Sequence, residues 1–136
     1  MQVQAYLFFD GRCEEAVEFY RNALGAEVDV LLRFKDSPEP PQCSLPPGSE
    51  EKIMHASFRI GETTVMASDG PCGGQTNFQG FSMVLTVADE DEADHYFVVL
   101  GEGGQVRMPL GKTFFSPRFG MVVDRFGVAW MVIVKH

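Results

Sequence analysis

The side chains best placed for chemistry lie on one short run, Met54-His55-Ala56-Ser57-Phe58-Arg59-Ile60, in which polar and apolar residues alternate. A period of two marks a strand with one packed face and one open face, so His55, Ser57 and Arg59 share the open one. Two roles fit His55: a general base titrating near neutrality, or a strand histidine held in place by packing and hydrogen bonds. Two also fit Arg59, whose planar fork suits a carboxylate or phosphate ligand, or a rim carboxylate such as Glu62 or Asp69. Neighbouring runs extend this face with Thr64, Met66 and Ser68, then Ser82, Val84 and Thr86, then Ala129, Met131 and Ile133. Thioether and aliphatic walls with a few hydroxyls, one guanidinium and one imidazole suit a small organic ligand with one or two polar groups. The expected ligand-binding residues are therefore His55, Ser57, Arg59, Met66, Ser68, Ser82, Thr86 and Met131, with His55 the catalytic candidate. Alternation puts Trp130 on the packed side, in the core. No nucleophile-base-orienter set, Walker loop or carboxylate pair can be argued from the spacing.

The thiols are a second place to look. Cys13, Cys43 and Cys72 are odd in number, widely spaced and without a CxxC pair. That pattern fits reduced thiols of a cytosolic protein better than a disulfide framework or a zinc site. Cys13 precedes a helical pattern, where it is either a thiol activated by the helix dipole or a packed residue. Phe114, Phe115, Arg118 and Phe119 form an aromatic-basic cluster, which suits a flap over a cavity or packing on a dimer partner.

One pattern, occurring twice, must position these groups. Ala16, Phe19, Tyr20 and Ala23 make an apolar helical stripe, and Ala93, Tyr96, Phe97 and Leu100 make another. Each follows a strand-like run ending in Asp, with Asp10 a candidate cap for the first helix, and each stops at a glycine suited to a C-terminal cap, Gly25 and Gly101. Strand runs are expected over residues 2–9, 28–34, 54–60, 63–68, 81–87, 105–109, 120–123 and 128–134. Gly61-Glu62 and Asp124-Arg125-Phe126-Gly127 turn two hairpins. Residues 37–48 carry five prolines and read as a loop, residues 69–80 as a linker, and residues 112–119 as a loop or short strand. The order is β-α-β-β-β, repeated.

Composition narrows the classes. The chain has 136 residues, enough for one domain, and a net charge of -8, which disfavours nucleic acid as a partner. No apolar run is long enough for a membrane span and no signal peptide is read at the start, so a soluble cytoplasmic protein is expected.

The ordered segments Tyr6-Leu7-Phe8-Phe9-Asp10-Gly11, Glu15 to Tyr20, Lys52 to Gly61, Ser68-Asp69 and Gly120 to Trp130 cover nearly the whole chain. Together they resemble the PhnB-like branch of the vicinal-oxygen-chelate superfamily, which includes glyoxalase I, bleomycin-resistance proteins and extradiol dioxygenases. Arg125 stands where many relatives carry proline in the turn. The resemblance implies an α+β fold of two βαβββ modules (about 1–69 and 81–136) in a curved mixed sheet around a cavity, helices outside, and a homodimer. Members of this branch carry a name referring to 3-demethylubiquinone 3-methyltransferase. A methyltransferase should show a glycine-rich strand-to-helix turn for S-adenosylmethionine, and none follows the first strand here.

Metal-dependent relatives hold a divalent ion with four His, Glu or Gln side chains, one from the first and one from the last strand of each module. Carried onto this chain, those positions are Ala5, Met66 (or Ser68 with a register slip), Ser82 and Met131. None is a usual ligand for such an ion. His55, His95 and His136 fall elsewhere, on a middle strand, a helix face and the C-terminus. The expectation is a non-metal protein, without cofactor, that binds a small organic molecule. The alternative is a lyase- or dioxygenase-type enzyme of the same fold, using His55 and Arg59 or a metal in a different register. A third reading is an interaction dimer whose cavity is filled by its own side chains.

Overall fold

A computed structural model describes residues 1–38, 47–70 and 76–135. The chain divides into two compact units, Met1–Thr76 and Asn77–His136. The first holds β1 (Tyr6–Phe8), α1 (Cys13–Leu24), β2 (Glu27–Arg33), β3 (Ile53–Ile60) and β4 (Thr63–Ser68). The second holds β5 (Met83–Val87), α2 (Glu90–Gly101), β6 (Gln105–Gly111), β7 (Phe119–Val123) and β8 (Ala129–Val134). Each unit is thus one βαβββ module. Its sheet is mixed: β1-β4-β3-β2 in the first and β5-β8-β7-β6 in the second, with only the first strand parallel to its neighbour. Both hairpins form as expected, β3 to β4 and β7 to β8. The proline-rich stretch lies largely outside the described residues, as do Cys43, Cys72 and His136.

Each helix buries one stripe on its sheet. In α1 the buried face is Cys13, Ala16, Val17, Tyr20, Ala23 and Leu24, rotated from the expected stripe so that Phe19 is only half-buried on the flank. Tyr20 lies over Phe58 of β3, ring centroids 5.9 Å apart and nearly parallel. In α2, Ala93, Phe97 and Leu100 are buried while Tyr96 sits at the margin. The strands obey the period of two: Ala56, Phe58, Val65 and Ala67 are buried in one unit, Trp130, Val132 and Val134 in the other.

Three local expectations are corrected. Asp10 does not cap α1; the N-cap is Arg12, without a side-chain capping bond, and Asp10 adopts φ 48° in the turn before it. Gly25 closes α1 in the left-handed conformation, whereas Gly101 ends inside α2 and Glu102 caps it in an extended conformation. The turn back to β6 then falls to Gly103 at φ 76°. β1 is three residues long rather than eight, and β5 begins at Met83, leaving Phe81 and Ser82 ahead of it. At α2 the Asp89 carboxylate accepts from the Glu92 N–H (2.8 Å) while Glu92 accepts from the Ala88 N–H (2.9 Å), so the first turn is capped by side chains.

The connection after β2 is gathered at its stem. Arg33 bonds the Glu14 carboxylate and the Glu51 carbonyl (2.6 Å), Lys35 pairs with Glu51 (2.8 Å), and the Phe34 N–H meets the Lys52 carbonyl (3.0 Å). The Arg33 hydrogen bond holds the Glu14 carboxyl below its ordinary range.

At the other end of the chain, β6 starts hard against the end of β7. A Cβ on Gly104 would lie 2.0 Å from the Val123 carbonyl oxygen. Backbone cannot step aside as a side-chain tip does, so Gly104→Ala should cost about 2–3 kcal/mol. Thermal unfolding checks this, and an unchanged melting temperature would mean that the strand start shifts freely.

Candidate functional site

Two buried carboxylates fix the frame around the open faces. Asp69, 7% exposed at the end of β4, accepts the N–H groups of Gly11 and Cys13 (both 2.8 Å) on one oxygen and of Ile53 (2.7 Å) on the other. It thereby fills the N-terminus of α1 with negative charge, where the dipole favours it. This decides between the two readings of Cys13. Its thiol is fully buried, and burial, reinforced by the charges of Asp69 and Glu14, pushes its pKa well up, so it is a packed residue. Asp124, 2% exposed, accepts the Phe126 and Val128 N–H groups (2.9 and 3.1 Å) and the Trp130 indole N–H (2.9 Å).

On the open face of the first sheet, Ser57 pairs with Met66 across β3 and β4, and Met66 with Tyr6 across β4 and β1. The Tyr6 hydroxyl meets His55 Nδ1 at 3.1 Å, and the Tyr6 ring lies 5.0 Å from Phe8. The sequence reading missed Tyr6 because β1 is too short to show alternation. Arg59 leaves the expected set. Its Nε reaches both oxygens of Asp29 (3.2 and 3.0 Å) and its Nη2 reaches Glu27 (2.7 Å), and these contacts raise its pKa. The carboxylates come from β2, not from Glu62 or Asp69. Ser68 is buried rather than open to a ligand, its Oγ accepting from the Gly70 N–H (3.1 Å) where the chain turns off the strand.

The second sheet carries a different surface. Met108 of β6 pairs with Met121 of β7, Met121 with Met131 of β8, and Met131 with Val84 of β5. Paired residues share a face, so one row of three thioethers and an isopropyl group crosses the whole sheet opposite α2. This row floors a hollow of about 880 Å³ whose wall includes Phe78, Phe81, Ser82 and Arg107. Trp130 is core, 3% exposed, yet its edge also reaches the hollow. Of the expected residues in this unit, Ser82 and Met131 line the hollow, while Thr86 is exposed beyond it. The aromatic-basic cluster separates: Phe115 packs on Phe114 and Phe119 (5.2 and 5.1 Å), while Arg118 clamps Asp94 of α2 (2.8 to 3.0 Å).

The matching comparisons give the frame a lineage. The family model described as 3-demethylubiquinone-9 3-methyltransferase matches residues 1–133. The chain belongs to this family. Among its relatives, protein YjdN of Escherichia coli is 34% identical over 100% of this chain and 97% of its own length. The crystal structure of protein PA1353 from Pseudomonas aeruginosa has 43% identity and a TM-score of 0.87, over 99% of this chain and 98% of that one. The PhnB protein of Bacillus cereus has 29% identity and a TM-score of 0.81, over 99% and 100%. The family is the PhnB-like branch of the vicinal-oxygen-chelate superfamily, with the α+β glyoxalase/bleomycin-resistance fold. A fosfomycin resistance protein, FosX of Listeria monocytogenes, complexed with Mn(II) and a dihydroxypropylphosphonic acid, shares this fold at 13% identity and a TM-score of 0.67 over 100% and 92%.

The superfamily's metal can be tested against the donors at the corresponding strand positions. The Met66 N–H bonds the Ala5 carbonyl (3.0 Å), and Met131 sits beside Val84, two residues after Ser82. A methyl group, two thioethers and a hydroxyl do not fit a hard divalent ion. Among the described residues no three His, Cys, Asp or Glu side chains gather closely enough to hold one.

Proposed function

We propose that this family member binds a small organic molecule without a metal ion, on the methionine-floored hollow of the second unit. The row Met108-Met121-Met131-Val84 carries the reading. Unbranched, polarizable thioethers shape themselves to varied apolar bodies, and about 880 Å³ lies within the usual range of small-molecule pockets. The occupied start of α1 weighs against methyl transfer. The Gly11 and Cys13 N–H groups of the first strand-to-helix turn already bond Asp69 and the Arg12 N–H bonds the Phe9 carbonyl, so these three are not open to a cofactor carboxylate.

The enzymatic reading has one observation in its favour, the Tyr6 hydroxyl against His55 Nδ1, which orients an imidazole on an open face. A neutral fluorescent probe, N-phenyl-1-naphthylamine, tests the binding reading. It should bind, shift the methyl signals of Met108, Met121 and Met131, and bind at least about tenfold more weakly to Met121→Glu, which would put a carboxylate on the apolar floor. His55→Ala should leave that affinity unchanged. Binding that ignores Met121→Glu and shifts other methyls would sink the hollow as the site.

A further inference from the structure

We infer that the natural ligand of the hollow carries a carboxylate, held by Arg107 at the rim while its apolar body lies on the methionine row. This deepens the function proposed above and rests on it.

The first support is backbone geometry. Val106 pairs with Val122 and Met108 with Met121, so two steps along β6 match one step along β7. Arg107 is the extra residue. Val122 is buried under α2, and strict alternation would turn Arg107 and Met108 to opposite faces. A bulge breaks that alternation and re-aims a side chain, here bringing Arg107 and Met108 together into the hollow's lining.

The second support is charge accounting. Arg12, Arg21, Arg33, Arg59 and Arg118 each bond a carboxylate, and Arg125 bonds the Glu102 carbonyl. Arg107, alone among the seven arginines, has no such acceptor among the described residues. Its surroundings also favour an anion. Among the described residues the hollow's wall contains no aspartate or glutamate, and Arg107 is the one charged side chain there, on a chain of net charge -8. A guanidinium fork offers two parallel N–H donors to a planar oxyanion, which a bare apolar site cannot match. The aromatic rings of Phe78 and Phe81, 6.4 Å apart edge to face, stand at the same hollow to cover an apolar or aromatic body.

The test uses two probes with one body. 1-Anilinonaphthalene-8-carboxylate carries the anion; N-phenyl-1-naphthylamine lacks it. Arg107→Gln is on an exposed edge strand and should fold normally. It should weaken the carboxylate probe about tenfold, the loss expected for one charged hydrogen-bonded contact, and leave the neutral probe within about twofold. Arg107→Lys should recover only part of that loss, because it keeps the charge without the fork. Equal weakening of both probes would make Arg107 a packing residue and overturn the inference. No effect on either probe, with the methionine methyls still shifting, would overturn it and leave the hollow as the site. Failure of both probes to bind the unaltered protein would overturn the inference and the proposed function together.

Discussion

Asp69→Ala should lower the unfolding free energy by about 3–5 kcal/mol, the largest loss expected from any single truncation here. Three backbone N–H groups, from Gly11, Cys13 and Ile53, lose their acceptor at once, two of them at the start of α1 and one at the start of β3. Each buried donor left without a partner costs about 1–3 kcal/mol, and the sum is reduced where water can enter. Asp69→Asn should cost less. Its amide oxygen can still serve Gly11 and Cys13, but its NH₂ group then confronts the Ile53 N–H. Urea unfolding followed by circular dichroism gives the measurement. A loss below about 1 kcal/mol would mean that water takes over the carboxylate's role.

The counterpart in the second unit is Asp124→Ala, expected to cost about 3–4 kcal/mol by the same reasoning. Here the donors are the Phe126 and Val128 N–H groups of the hairpin turn and the indole N–H of Trp130. Trp130 is the chain's one tryptophan, so its fluorescence reports this site directly. The native emission should shift when the indole loses its acceptor, and the urea midpoint should fall in the same experiment. Unchanged emission with a lowered midpoint would place the energy in the turn rather than in the indole bond.

Much of the architecture was legible because it follows from periodicity. Ala56 and Phe58 of β3, Val65 and Ala67 of β4, and Val132 and Val134 of β8 are buried as alternation assigns, and Trp130 falls in the core for the same reason; Ile53 and Ser68, at the strand ends, are buried against it. Both hairpins announce themselves through Gly61 and Gly127, each at positive φ in its turn. The site was harder to read, for three physical reasons. A bulge shifts the period by one, so Arg107 cannot be assigned to a face from its position in the run. Ion pairing depends on which strands are neighbours, so the sequence leaves Arg59 between a ligand and a rim carboxylate and does not point to Asp29 and Glu27 of β2. The methionine row joins residues 108, 121, 131 and 84, whose adjacency arises from strand order alone. Met131 was recognisable on its own; the row was not. The helix ends taught a similar lesson. Gly25 behaves as a cap residue should, whereas Gly101 is followed closely by Gly103, and the chain uses the second glycine for the turn.

The stem that Arg33, Lys35 and Glu51 close after β2 has a bearing on how this scaffold tolerates change. Once both ends of a connection are pinned, the added closure entropy of a longer one is small, about 0.6 kcal/mol for each doubling. The register of β2 against β3 therefore carries its own clamp, and a change in the length of the connection beyond that stem would leave the two strands aligned.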